Sequence, residues 1–456
     1  MIPARAGARA SRVAFVALCL ALPPALGSAD EPIPAGSELT LARAIELAIK
    51  YHPARQAAES ESLAADERVG SARSSLLPQV YGVGQYLRAT ENGIGTATYL
   101  PAPGITRSPS TGRHTDSLTD SFDNYAAGVS VFQYLYDFGR TRGAIEERNA
   151  EADAERARLQ LVELDLVYRV SAAYFDLVGA RQIVKVYDEA IMQRTEHLNE
   201  VKVKAEADLR PQIDVYTAQA ELARSELHLT DARNAEAIAK VSLDNAMGLG
   251  EQAPDYKQAD ASLPAPPSEP VDSFLHRALE QRPDLKMLEE GARAAGARIR
   301  QYRSDYLPSL GAAAGYNLRG DDGTSTNNLY AGVVITWPLF NGFRTQHEVA
   351  ESRLRQDAIR HMIEDLRQTV ILQVKRSYLD WRASIDRIGQ ARQTLEASRV
   401  ELDLASKRYE NGLGSIIELT DAQRRYTEDD AAYVKAQAES SIARAALDRD
   451  TGTGHP

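Results

Sequence analysis

Residues 166–201 read LVYRVSAAYFDLVGARQIVKVYDEAIMQRTEHLNEV, and their periodicity decides the fold. Leu166, Val170, Ala173, Leu177, Ala180, Val184, Tyr187, Ile191, Arg194, Leu198 and Val201 are spaced alternately four and three apart, and only Arg194 is not apolar. This is a heptad seam, the stripe along which one helix lies against another. Adding 204 to each number gives Val370, Val374, Ser377, Trp381, Ser384, Ile388, Ala391, Leu395, Ser398, Leu402 and Ala405, small or apolar at every place. No proline interrupts residues 140–205 or 344–410, so each stretch is expected to form one helix. At 1.5 Å rise per residue each would be roughly 100 Å long, a rod for which a compact domain has little use.

The repetition extends through the chain. Ala48, Pro53, Arg73, Ser74, Leu77 and Pro78 recur 230 residues later as Ala278, Pro283, Arg303, Ser304, Leu307 and Pro308. Leu135, Arg140, Thr141, Tyr174, Asp176, Ala218, Gln219, Gly248 and Gly250 recur 204 residues later, from Leu339 to Gly454. The offset shortens because copy one carries a longer polar segment, residues 90–122, rich in Gly, Thr, Ser, Pro and Asp, which reads as a solvated loop. The expected organisation is a first repeat over 30–249, a proline-rich linker over 250–270 and a second repeat over 271–456. Within each copy the order is helix, strand, loop, strand, long helix, turn, helix. The long helix of each copy should pair with two shorter ones stacked end to end, 38–75 with 211–248 and 271–304 with 416–449.

Period-two alternation marks strands near 78–89, 123–136, 307–319 and 328–340. Leu329, Ala331, Val333, Ile335 and Trp337 alternate with Tyr330, Gly332, Val334 and Thr336. Runs of this length suit tilted transmembrane strands as well as a soluble sandwich. Tyr86, Phe132, Tyr134, Tyr136, Tyr316, Trp337 and Phe340 are candidates for interfacial girdles. The rods favour the membrane reading, since a sandwich carries none. Four strands cannot close a barrel alone, because about 8 is the small end. An open edge in lipid is not tolerated, so the chain must then oligomerise.

Residues 1–29 carry Arg5, Arg9 and Arg12, then an apolar run from Val13, then small residues up to Ala29, the layout of a cleaved signal peptide. Its removal takes the formal net charge from -11 to about -14 by deleting three arginines, and takes away Cys19, the one cysteine. So acidic a chain repels nucleic-acid phosphates. Without further cysteines there is no disulfide scaffold. Catalytic signatures such as HExxH, GxSxG and a GK[ST] phosphate loop are missing, and the eight histidines form no short-spaced metal pair and read mostly as surface residues. No cofactor and no enzymatic role is expected.

The tandem copies, the two-strand insert between helices in each, Leu135-Tyr136-Asp137 with its partner Leu339-Phe340-Asn341-Gly342, and Tyr409-Glu410-Asn411-Gly412-Leu413-Gly414 together resemble the TolC family of outer-membrane channels. The resemblance implies a mainly α fold with a transmembrane β-barrel. Duplicated long α-hairpins form a helical tunnel in the periplasm, and four strands per chain are completed by a homotrimer to a 12-stranded barrel in outer-membrane lipid. It further implies a passive exit duct for drugs, metals or proteins. The duct works with a periplasmic adaptor and an inner-membrane transporter of the RND or ABC type, in tripartite efflux or type I secretion. The alternative is a periplasmic adaptor or structural coiled-coil protein, though adaptors have a single hairpin with β-rich flanking domains.

By position in the motif, Glu418 and Asp421 match the family's acidic pore constriction. Tyr409 stands where the family has the tyrosine of its closure latch, and Asp214 where copy one has the acidic partner. The latch's basic residue would fall at Gly414, so Arg210 on the opposing turn is the candidate substitute. The resemblance places adaptor docking on the hairpin tips, Ala207-Asp208-Leu209 and Asn411-Gly412-Leu413, of which only the second keeps the family's glycine.

Overall fold

The computed structural model describes residues 38–90, 121–250, 256–258, 269–321 and 324–454. The expected signal peptide, the body of the 90–122 loop and most of the 250–270 linker lie outside the described residues. The first copy runs β1 (Glu38–Leu39), α1 (Leu41–Tyr51), α2 (Pro53–Arg73), β2 (Gln79–Thr90), β3 (Ser121–Tyr136), α3 (Arg140–Glu206) and α4 (Gln212–Ala246). After β4 (Lys257–Gln258), the second copy runs α5 (Val271–Gln281), α6 (Pro283–Ser304), β5 (Ser309–Asp321), β6 (Thr324–Thr336), α7 (Arg344–Glu410) and α8 (Ile416–Thr451). Within the linker, β4 pairs in parallel with β1.

Helices α3 and α7 are both 67 residues long, roughly 100 Å of unbroken rod. Their seams face neighbouring helices. Leu166, Val170, Leu177 and Val201 are fully buried in one, as are Val370, Val374, Trp381 and Ser384 in the other. α3 packs against α2 and α4 on one side and α6 and α8 on the other, and α7 packs against α6 and α8. The result is a single layer four helical lengths wide, with copy one's short helices at one margin and α7 at the other. Both margins keep large apolar side chains exposed, including Ile213, Tyr216 and Val241 on α4 and Leu354, Leu372 and Leu379 on α7.

The stacked short helices depart from expectation. Neither 38–75 nor 271–304 is one helix; each breaks before a proline, at His52-Pro53 and Arg282-Pro283. Proline starts a helix well but pushes the preceding residue into extended backbone, and His52 (φ -68°, ψ 125°) and Arg282 (φ -61°, ψ 126°) both take that geometry. α1 packs against α3, and α5 against α7 and α8. The upper rods therefore begin at Pro53 and Pro283. Gly248 and Gly452, left-handed at φ 76° and 75°, abut these breaks. A Cβ on Gly248 would lie 2.6 Å from the His52 Cα. Equivalent cores form here: Ala44, Leu47, Leu166, Tyr174 and Leu243 in copy one, Phe274, Leu285, Val370, Trp381 and Leu447 in copy two.

The four long strands make one antiparallel sheet in the order β2-β3-β5-β6, so the two copies join through β3 and β5 and both margins stay open. The register sets Val80, Val131, Ala314 and Ala331 in one row, and Tyr316 in a row with Val129 and Leu329. Val80, Val129, Tyr316, Leu329, Val333 and Ile335 are all exposed, so among the described residues one face of the sheet is an uncovered apolar surface. Ala126, Ser130, Phe132 and Ala313 on the opposite face are buried. Phe132 covers Gly311 on that face, opposite Val129 and Tyr316. β6 spans Thr324–Thr336, not 328–340, because Pro338 has no N–H to give to a ladder. Trp337 lies just beyond it, its indole donating to the Tyr306 carbonyl at 3.2 Å.

Candidate functional site at the hairpin tips

The end of the layer farthest from the sheet is built by two turns, α3 to α4 and α7 to α8. Both are made the same way. The N–H of Leu209 donates to the Lys204 carbonyl (2.9 Å), and that of Leu413 to the Arg408 carbonyl (2.8 Å). This six-to-one closure requires a left-handed residue just before it. Gly412 supplies it at φ 73°, whereas copy one uses Asp208 at φ 55°. The six expected docking residues, Ala207, Asp208, Leu209, Asn411, Gly412 and Leu413, are all solvent-exposed, with Leu209 and Leu413 the most prominent apolar tips.

Behind the tips the two hairpins are fastened together. Tyr409, 2% exposed and in the last turn of α7, has its hydroxyl donating to Asp214 Oδ2 at 3.3 Å across the hairpin boundary. The Arg210 guanidinium lies over the Tyr409 ring, 4.1 Å from its centroid, and donates to the Tyr409 carbonyl. The three residues singled out as a latch are thus brought together. At Gly414 a Cβ would come within 3.1 Å of the Arg408 Cβ and 3.2 Å of the Tyr409 nitrogen, so this turn is tight for any side chain. Val201, Ala405, Ile416, Leu419 and Ala422 form the apolar floor beneath. Burial, and then the Asp214 charge, push the Tyr409 hydroxyl up to about 12, with Arg210 opposing.

His197 was not foreseen as part of this site. It packs edge-on against Tyr409, ring centroids 5.4 Å apart, with Nε2 buried and unpartnered among the described residues. Burial foremost holds its pKa below the ordinary 6.5; Lys204 adds to this, while Glu200 and Asp214 oppose it. It sits beside the seam, one residue before Leu198, and its partner Tyr409 is far away in sequence, so spacing gave no signal.

Glu418 and Asp421 occupy the first two turns of α8. Ser415 caps that helix by accepting the Glu418 N–H at 3.2 Å. Each carboxylate has an arginine partner: Arg408 Nε lies 2.9 Å from Glu418, and Arg424 lies 3.5 Å from Asp421. Among the described residues no group of three metal-ligating side chains exists, and no helix is long and apolar enough to cross a membrane.

Comparison with known proteins accounts for this architecture. The Campylobacter jejuni CmeC outer membrane channel superposes with a TM-score of 0.73 at 18% identity, covering 91% of this chain and 86% of that one. The open state of the Neisseria gonorrhoeae MtrE outer membrane channel gives 0.70 at 19% identity over 94% and 93%. In sequence the chain is 26% identical to protein CyaE of Bordetella pertussis over 74% of this chain and 72% of that protein. It is 24% identical to the alkaline protease secretion protein AprF of Pseudomonas aeruginosa over 83% and 77%. Residues 44–249 and 274–453 match the outer membrane efflux protein family, one segment per copy with the linker between. With both copies matched, and the fold shared along almost its whole length, the chain belongs to the outer membrane efflux protein family.

Proposed function

We propose that three copies of this chain close into one passive duct across the outer membrane. The duct receives cargo from a periplasmic adaptor and an inner-membrane transporter of the RND or ABC type. The observation that carries this is the four-stranded sheet with an apolar exposed face and two unpaired margins. In lipid, an open margin strands N–H and C=O groups at several kcal/mol each, roughly, so β6 must find β2 of another copy. Three copies give twelve strands, enough to enclose an aqueous pore. The same rotation brings the apolar margin of α7 against the α2–α4 margin of the next copy. A closed pipe of this kind passes cargo.

In this reading the two tips contact the adaptor, and Tyr409, Asp214 and Arg210 hold the hairpins of each chain in the closed arrangement. Glu418 and Asp421 form an acidic ring at the constriction, its field reduced by Arg408 and Arg424. The matched family is one of efflux proteins while AprF is a protease secretion protein, so the cargo class follows from the partner transporter. Native mass measurement in detergent, followed by planar-bilayer recording, tests the proposal. Three-chain species that conduct are expected; single chains that leave the bilayer silent would overturn it.

A further inference from the structure

We propose that the cleft between the start of α3 and the end of α6 holds the phosphate of a glycerophospholipid of the periplasm-facing leaflet, one per chain. The proposal rests on the reading that the sheet lies in the outer membrane. The cleft is an open groove of about 610 Å³ at the corner where strands become helices, lined by Phe138, Arg142, Glu146, Arg300, Arg303 and Leu307 among others. Its position follows from chain order, since α3 starts just after β3 and α6 ends just before β5.

The apolar rim continues the lipid-facing surface. Tyr136 pairs with Leu310, which pairs with the exposed Ile335. The Phe138 ring meets Tyr136 edge-on at 4.7 Å, so the wall of the cleft extends the surface that acyl chains cover. The polar side is cationic. Arg142 and Arg300 both reach Glu146, at 3.0 and 2.5 Å. The Arg303 side chain makes no ion pair or hydrogen bond among the described residues. Three guanidinium groups thus face one carboxylate, and the excess of charge calls for an anion. The α3 terminus does not provide the binding, because Asp137 already accepts the N–H groups of Gly139 and Thr141. The arginine side chains do. A phosphodiester presents two charged oxygens that match the guanidinium fork.

Duplication supplies an internal control. The matching corner of the second copy would join the start of α7 to the end of an α2. There the counterparts of Arg142, Glu146, Arg300 and Arg303 are Gln346, Ala350, Gly70 and Arg73. The fold therefore does not require this cluster; one corner has it and the other does not. Gly143 brings the two helices close enough for the charges to converge, since a Cβ there would lie 3.0 Å from the Gln301 nitrogen.

The test uses the full chain, stripped of lipid in non-ionic detergent and incubated with phosphatidylglycerol, diacylglycerol or inorganic phosphate, with retention read by native mass spectrometry. Wild type is expected to keep one phosphatidylglycerol per chain and neither of the other probes. Arg303→Gln, which breaks no observed contact, should weaken retention roughly tenfold, the worth of one charge-assisted bond, and Arg142→Gln with Arg303→Gln should weaken it further. Equal retention by wild type and the double variant would overturn the site. So would inorganic phosphate held as tightly as the lipid. Bilayer currents keep the two readings apart. A silent wild type counts against the barrel, while conducting proteins that all keep the same lipid count against the cleft alone.

Discussion

Arg210 joins the two hairpins through a single guanidinium, and replacing it is the sharpest test of how the tips are held. Arg210→Ala removes two contacts at once. Stacking on the buried Tyr409 ring is worth about 1–2 kcal/mol. The charge-assisted bond to the Tyr409 carbonyl is worth about 1.5–3 kcal/mol. Both come from one group and do not add fully, so about 3 kcal/mol is expected, close to a hundredfold in the packed-to-opened ratio. Tyr409→Phe keeps the ring and loses only the 3.3 Å bond to Asp214, for about 1–2 kcal/mol. Arg210→Lys should fall between wild type and Arg210→Ala, since an ammonium keeps the charge but not the flat stack.

Hydrogen exchange in residues 203–216 and 405–420 reads the opening directly, and single-channel recording reads its consequence. Faster exchange confined to these segments, with more frequent opening, is expected for Arg210→Ala. Exchange and current both unchanged from wild type, in a protein whose helical circular dichroism is also unchanged, would refute the latch. A double-mutant cycle with Tyr409→Phe should return a coupling of about 1 kcal/mol or more, because the two side chains share a ring.

His197 is expected to make the tip sensitive to acid. Its pKa is lowered in the packed state, so the opened state takes up protons first as pH falls below 6.5. Tip packing is then complete above that pH and weakens as pH drops toward the lowered value. Exchange of the same segments at pH 5.5 and 7.5 should show this, and His197→Gln should abolish the difference. Asp208→Gly should slow tip opening by about 1 kcal/mol, since the left-handed residue of that turn would then be glycine; opening faster than wild type would contradict the turn geometry. Glu418→Ala with Asp421→Ala should lower cation selectivity only modestly, because each carboxylate is already paired with an arginine. Unchanged reversal potentials under a salt gradient would place the constriction elsewhere.

The long rods were readable because a seam of small and apolar residues recurs with one spacing, and nothing in 344–410 interrupts it. The same reasoning passed over Pro53 and Pro283. They were visible as matching landmarks of the two copies, yet their local effect, an extended residue before each, breaks the expected helix. Period-two alternation located β6 but carried it through Trp337 to Phe340, because alternation is blind to the missing N–H of Pro338. At the tips, Tyr409, Asp214 and Arg210 came from resemblance to a family, not from spacing. Their contacts join residues about 200 apart, and no periodic pattern encodes such a pairing. His197 fell outside both routes.

The duplication explains why the two copies are not interchangeable. In a closed pipe each corner of copy one would meet copy two of the same chain, while each corner of copy two would meet copy one of a neighbour. The two kinds of contact are free to diverge. Copy one closes its tip with Asp208 where copy two has Gly412. Arg210 reaches across from a turn whose counterpart is Gly414, a position tight for any side chain. Three arginines gather at one strand-to-helix corner, and only one of them, as Arg73, has a counterpart at the other. A symmetrical pair of copies would give six equivalent hairpins and no distinction between those that stay and those that move. Clear differences fall at the tips and at the strand-to-helix corner, and apart from Arg194, whose counterpart is Ser398, the seams between keep a small or apolar character. That is the pattern expected if shared packing sets the wall while the differing ends set which hairpin opens and how the duct seats in lipid.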